Sequence, residues 1–120
     1  MKTLSFTQDG LIIDVVFFSR TAKVSWKGAS DIRDPDEQLN PFLSSLSRDL
    51  RGLSTAIDFT AFEYMNSVTL SVFLQFVKDL DAKEIPVTLL FSATKEWQRV
   101  PLRCMKAIAR TLKFVKVDSQ

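Results

Sequence analysis

The sequence contains no histidine, and its single cysteine is Cys104. Without a second thiol there is no disulfide framework, and without imidazole there are no His-based metal sites and no His-dependent catalytic triads. Three glycines in 120 residues are too few for a Gly-rich loop whose backbone cradles phosphates. No apolar run reaches the roughly 18 residues of a membrane span, and the opening MKTLSFTQDG lacks the apolar centre of a secretory signal. Charge of one sign is also missing: 16 Lys and Arg against 14 Asp and Glu leave a net +2, too little to argue for nucleic acid. No carboxylate pair is placed by a recognisable motif. A non-enzymatic protein without cofactor or metal is therefore expected, with the cytoplasm, bacterial or other, as its default compartment.

What is present belongs to one globular domain over residues 1–120, 46% hydrophobic and 25% charged. Residues 3–7 and 11–18 are short apolar runs joined by Asp9-Gly10, a pair suited to a tight hairpin turn. Residues 22–27 then alternate Ala22, Val24 and Trp26 against Lys23, Ser25 and Lys27, the period of a strand with one buried face. The sheet thus begins antiparallel. Residues 28–34 are loop by composition. Two helix-start signals follow, Asp34-Pro35-Asp36-Glu37 and Asn40-Pro41, and the main helix is expected over 41–51 with Phe42, Leu43, Leu46 and Leu50 buried. The acids Asp31, Asp34, Asp36 and Glu37 are explained by turn and capping chemistry, so no metal is assigned to them.

The organising stretch is 54–80. Residues 55–59 form a β-branched and aromatic strand, a polar loop ends at the cap residues Asn66 and Ser67, and a helix runs from Val68 with Leu70, Phe73, Leu74, Val77 and Leu80 inward. Residues 87–91 are a continuous apolar run, predicted to be a strand covered on both faces and parallel to 55–59. Residues 95–112 read as a helix broken or restarted at Pro101, with Val100, Cys104, Ala107, Ile108 and Thr111 on one side, and 114–117 as a last strand. The predicted fold is α/β: a single mixed sheet of five or six strands, antiparallel at the N-terminal hairpin and parallel afterwards. Right-handed crossovers place its helices mainly on one face.

Several side chains fall outside this scheme. Val68, Val72 and Phe76 recur at four-residue spacing, as either a broad core face or a partner-binding strip. Arg99, Arg103, Lys106, Arg110 and Lys113 make a basic stripe, either a solvated face or a dock for an acidic protein or phosphate-bearing ligand. Trp97 anchors either its helix or a partner. Ser67 is either a plain helix cap or a modification site.

The element order, together with the run Met65-Asn66-Ser67-Val68-Thr69-Leu70 leading into a helix, resembles the STAS domain of bacterial anti-sigma factor antagonists. The resemblance covers residues 22–117, leaving the N-terminal hairpin strand (about residues 1–18) as an extra. That family carries a hydrophobic-Asp-Ser-Ser/Thr-Gly-Leu signature whose first Ser is phosphorylated. Ser67 and Leu70 match it, whereas Asn66, Val68 and Thr69 depart from it. Gly28-Ala29-Ser30-Asp31 is similarly close to the family's Gly-Glu-Leu-Asp loop. The resemblance implies a phosphoacceptor at Ser67, with Thr69 as the alternate, and partner contacts from Asn66, Val68, Val72 and Phe76. It also implies a serine kinase of the anti-sigma type, which binds, phosphorylates and releases the domain, and a metal-dependent phosphatase that restores it. A constitutive scaffold or subunit of a signalling or transport complex, without phosphorylation, is the alternative. A small-ligand or lipid binder using the basic helix is a third.

Overall fold

Asp9 and Gly10 hold φ of 48° and 91°, the left-handed pair that a two-residue hairpin turn demands. In the computed structural model, which describes residues 2–119, strands β1 (Lys2–Gln8) and β2 (Leu11–Phe17) flank that turn. Strand β3 (Thr21–Ser30) adds antiparallel to β2, with Ile13 opposite Trp26. From there every pairing is parallel. Helix α1 (Leu39–Asp49) leads to β4 (Ser54–Asp58) and β5 (Phe62–Met65), which both pair with β3. Helix α2 (Ser67–Ala82) leads to β6 (Val87–Phe91) beside β4, and α3 (Arg99–Ala109) to β7 (Val115–Ser119) beside β6. The sheet order is β1-β2-β3-β4-β6-β7, so each crossover steps one place in the same direction. Right-handed crossovers then stack all three helices on one face.

Alternation along the strands sends Val24, Trp26, Ile57, Phe59, Leu89 and Phe91 under those helices. Trp26, Phe59, Phe62, Phe73 and Phe91 form the centre of the core, with Phe59 and Phe73 edge to face at 4.5 Å and Phe59 stacked on Phe91 at 5.1 Å. The opposite face carries the ion pairs Lys27–Asp14 at 3.1 Å and Lys23–Asp58 at 3.5 Å. Burial works to raise the pKa of Asp58, but two hydrogen bonds from Thr60 and the charge of Lys23 outweigh it and hold the carboxyl below its ordinary value. By accepting from Thr60 N–H and hydroxyl at 2.8 and 2.7 Å, Asp58 turns the chain out of β4. Among the described residues no helix is long and apolar enough to cross a membrane.

The expected mixed sheet and helix order are present, with local differences. β3 runs on to Ser30, where the sequence predicts a loop from 28, because Gly28 takes φ 77° and the strand continues by pairing with β5 across a bulge that leaves Glu63 unpaired. β5 lies where the sequence predicts loop: its inward residues Phe62 and Met65 are three apart, so no period of two marks it. Helix α1 starts at Leu39 rather than Pro41, and Asn40 does not cap it, since its amide donates to Asp36 at 2.6 Å. Pro41 sits in the first turn, where an N–H is dispensable. In α2, Thr69 and Phe76 are buried while Leu70 and Leu74 are only half-buried, a rotation of the expected stripe. On β6 burial alternates, so the strand is not covered equally on both faces. Of the two alternatives at Pro101 the helix restarts rather than breaks: a 3-10 turn at Glu96–Gln98 gives way to α3, with Pro101 in its first turn. The inward residues of α3 are Pro101 and Met105 flanked by Leu102 and Ile108, whereas Val100, Ala107 and Thr111, expected inward, are exposed and Cys104 is half-buried.

Candidate functional site

The C-terminal ends of the parallel strands present two helix starts side by side, those of α2 and of the Glu96–Gln98 turn running into α3. Asn66, not Ser67, caps α2: its Oδ1 accepts from the Thr69 N–H at 2.9 Å and from the Thr69 hydroxyl at 2.6 Å. Its Nδ2 donates to the Ile32 carbonyl at 2.9 Å and reaches the Asp31 carboxylate at 3.4 Å. An aspartate here would lack that donor and would face Asp31, which is a physical reason for the amide. With its proton committed to Asn66, the Thr69 hydroxyl accepts from Ser30 Oγ at 2.7 Å, both groups being fully buried. The Asn66 N–H donates to the Ser30 carbonyl at 3.1 Å. The end of β3 and the start of α2 are thereby tied by a fully satisfied polar network. Thr69 is thus a structural hydroxyl, inaccessible to a kinase, and the expectation of it as alternate phosphoacceptor is corrected.

Ser67 is the first helical residue and is exposed. Because Asn66 does the capping, the Ser67 hydroxyl is free of the role that would tie it down. It opens onto a groove of about 250 Å³ lined by Tyr64, Met65, Leu70, Trp97, Val100 and Pro101 together with Asn66. Trp97 is set rigidly, its ring edge to face with Phe62 of the aromatic core at 5.6 Å.

Gln98, which no sequence pattern marked, ties the turn before α3 to the end of β4, the start of β5 and the end of β6. Fully buried, it donates through Nε2 to the carbonyls of Phe59 and Phe62 at 2.8 and 3.0 Å and accepts the Ser92 N–H at 2.7 Å. A side-chain amide so replaces the ladder partner that β5 lacks beyond the end of β6. Gln98→Ala removes the acceptor of the Ser92 N–H and a donor from each of the Phe59 and Phe62 carbonyls, although Phe59 keeps the Phe62 N–H at 2.9 Å, and a loss of about 2–3 kcal/mol is expected in urea unfolding. A loss below about 0.5 kcal/mol would show that the amide is not holding this junction.

The strip Val68, Val72 and Phe76 does not form one surface. Val68 is 36% exposed and Val72 half-buried, but Phe76 is 3% exposed, facing α1 beside Leu43. Phe76 as an exposed partner contact is therefore corrected: at four-residue spacing the strip winds from the open end of α2 into the seam with α1. At this end of the sheet the larger apolar exposure lies at Tyr64 (48%) and Val100 (61%). The basic residues Arg99, Arg103, Lys106, Arg110 and Lys113 are all exposed, as the stripe required. Among the described residues only Arg99 of the five contacts an acid, Glu96 at 3.8 Å. The acids Asp34 and Asp36 serve the turn before α1, accepting from the Asp36 N–H and from Asn40. Comparison with models of known protein families and with curated proteins gives no match to this chain.

Proposed function

We propose that this chain is a non-catalytic, protein-binding regulatory domain whose partner is switched by phosphorylation of Ser67. The observation that carries the reading is the freed hydroxyl of Ser67, exposed at the first position of a 16-residue helix and opening onto an apolar groove. A phosphate there meets the unsatisfied N–H groups and positive end of α2, so the fold tolerates it, while about two negative charges appear at the mouth of the groove. The resemblance to anti-sigma factor antagonists supports the same residue and supplies the expected partners, a serine kinase and a phosphatase. The γ-phosphoryl group of ATP passes to Ser67 Oγ, the hydroxyl proton goes to a base of the kinase, and ADP leaves; this chain contributes only the acceptor.

Incubation with the cognate kinase, Mg²⁺ and ATP, followed by intact-mass measurement and peptide mapping, tests this. One phosphate on Ser67, absent from Ser67→Ala, is expected, with Ser67→Asp mimicking the released state. No phosphate, or phosphate elsewhere, removes the switch and leaves the constitutive scaffold, the reading that Asn66 in place of the signature carboxylate favours.

A further inference from the structure

We infer that the groove beside Ser67 and the basic stripe of α3 form one continuous docking surface for an acidic protein segment bearing an apolar anchor side chain. This rests on the partner-binding reading above and adds the chemistry of the partner. Val100 joins the two halves: it lines the groove, and its neighbour Arg99 frames, with Leu102, Arg103 and Lys106, a second depression of about 270 Å³. Of the large hydrophobic side chains that are exposed, Tyr64, Val68 and Val100 all lie at this end of the sheet, near Ser67, while Ile12 and Phe18 belong to the N-terminal hairpin region. An apolar cluster left in water around a rigid tryptophan is a receptor for an aliphatic or aromatic side chain.

The charges select the rest of the partner. Arg103, Lys106 and Arg110 contact no acid among the described residues, whereas the nearby Glu63 is already held by Lys95 at 3.0 Å. Exposed cations of this kind contribute little to folding but steer and orient an acidic partner. From Arg99 to Arg110 the stripe covers three helical turns, about 16 Å. Met65, Leu70, Val100 and Pro101 line the groove beside Tyr64 and Trp97, which suits a side-chain anchor, and a net charge of only +2 favours protein over nucleic acid. The same arrangement gives the switch its sign. A phosphate on Ser67 places negative charge where an acidic segment must enter, so modification repels the partner.

The test is selection from a displayed random peptide library on the immobilised full chain, followed by affinity measurements on the selected peptides. Net-acidic peptides with a leucine or aromatic anchor are expected. Val100→Glu and the double variant Arg103→Glu/Lys106→Glu should each weaken them about tenfold or more, high salt should weaken them further, and Arg20→Glu, at the other end of β3, should not. Circular dichroism checks that each variant is folded. The proposal is overturned if no peptide is selected, if the selected peptides are neutral or basic, if groove variants leave affinity unchanged, or if the chain retains a single-stranded oligonucleotide more tightly than any peptide. The outcome is separable from the Ser67 experiment: acidic peptides that bind a chain no kinase modifies leave the surface standing and remove the switch. Phosphorylation without groove-dependent binding does the reverse.

Discussion

Phe76→Asp is expected to abolish the folded state, whereas Val68→Asp, two turns earlier on the same helix, leaves it intact. Phe76 is 3% exposed in the seam between α1 and α2. Truncating such a side chain costs about 3–5 kcal/mol through lost burial and the cavity left behind. A carboxylate in its place must also be desolvated without a partner or take up a proton. The sum is comparable with the whole stability of a small domain, about 5–15 kcal/mol. Val68 is on the open side of the first turn of α2, which carries no acid of its own, so an aspartate there meets the favourable end of the helix dipole and shifts stability by only about 0.5 kcal/mol. Urea unfolding followed by far-ultraviolet circular dichroism distinguishes the two. A cooperative Phe76→Asp transition near that of the parent would mean that α1 and α2 do not pack through this ring. The contrast also makes Val68→Asp the usable probe of binding at this end of α2.

Gly28→Ala is the second large effect. At φ 77° any side chain costs about 1–2 kcal/mol, but that is the smaller part. A Cβ on Gly28 would lie 2.1 Å from the backbone oxygen of Gly10, against an ordinary carbon–oxygen separation of about 3.3 Å. The backbone of the β1–β2 turn or of β3 must move by roughly the difference, and both are anchored: the Ala29 N–H donates to that same Gly10 oxygen at 3.2 Å. Gly52 supplies the control, since it has φ 81° and nothing within 4 Å of its Cβ position. Gly52→Ala is expected to cost about 1 kcal/mol and Gly28→Ala about 3 kcal/mol or more, with the excess measuring the clash. Equal losses would refute the close approach of the two backbones. Displacing β3 at Gly28 also moves Ser30, so the cap of α2 at Asn66 and Thr69 should loosen, readable as faster amide exchange at Thr69.

Much of this architecture was legible in the residues. The Asp9-Gly10 turn, the alternation of Ala22, Val24 and Trp26, and the short apolar runs at 55–59 and 87–91 are signals set within a few residues, and each marks a turn or strand that is present. The site was legible in part. Ser67 at a helix start and the basic stripe of α3 follow from capping preference and 3.6-residue spacing, which are local properties.

Which of two neighbouring cap residues does the capping, which side of a helix meets the sheet, and where the chain bulges were decided by tertiary structure. Asn66 outcompetes Ser67 because the end of β3 brings an acceptor, the Ile32 carbonyl, to its amide and a donor, Ser30, to Thr69, 39 residues away. Phe76 is inward because α1 lies against α2, and Val100 is outward because α3 enters from a buried Gln98 bonded to Phe59 and Phe62. In composition and spacing Val68, Val72 and Phe76 are interchangeable hydrophobic residues. Local residue patterns specify every element but β5, their order and their amphipathic character, because hydrogen-bonding period and side-chain direction are set within a few residues. The rotation of each helix about its own axis, and with it the groove at Ser67, was settled only by contacts between residues far apart in the chain, because a helix stripe broader than its seam can be buried in more than one way.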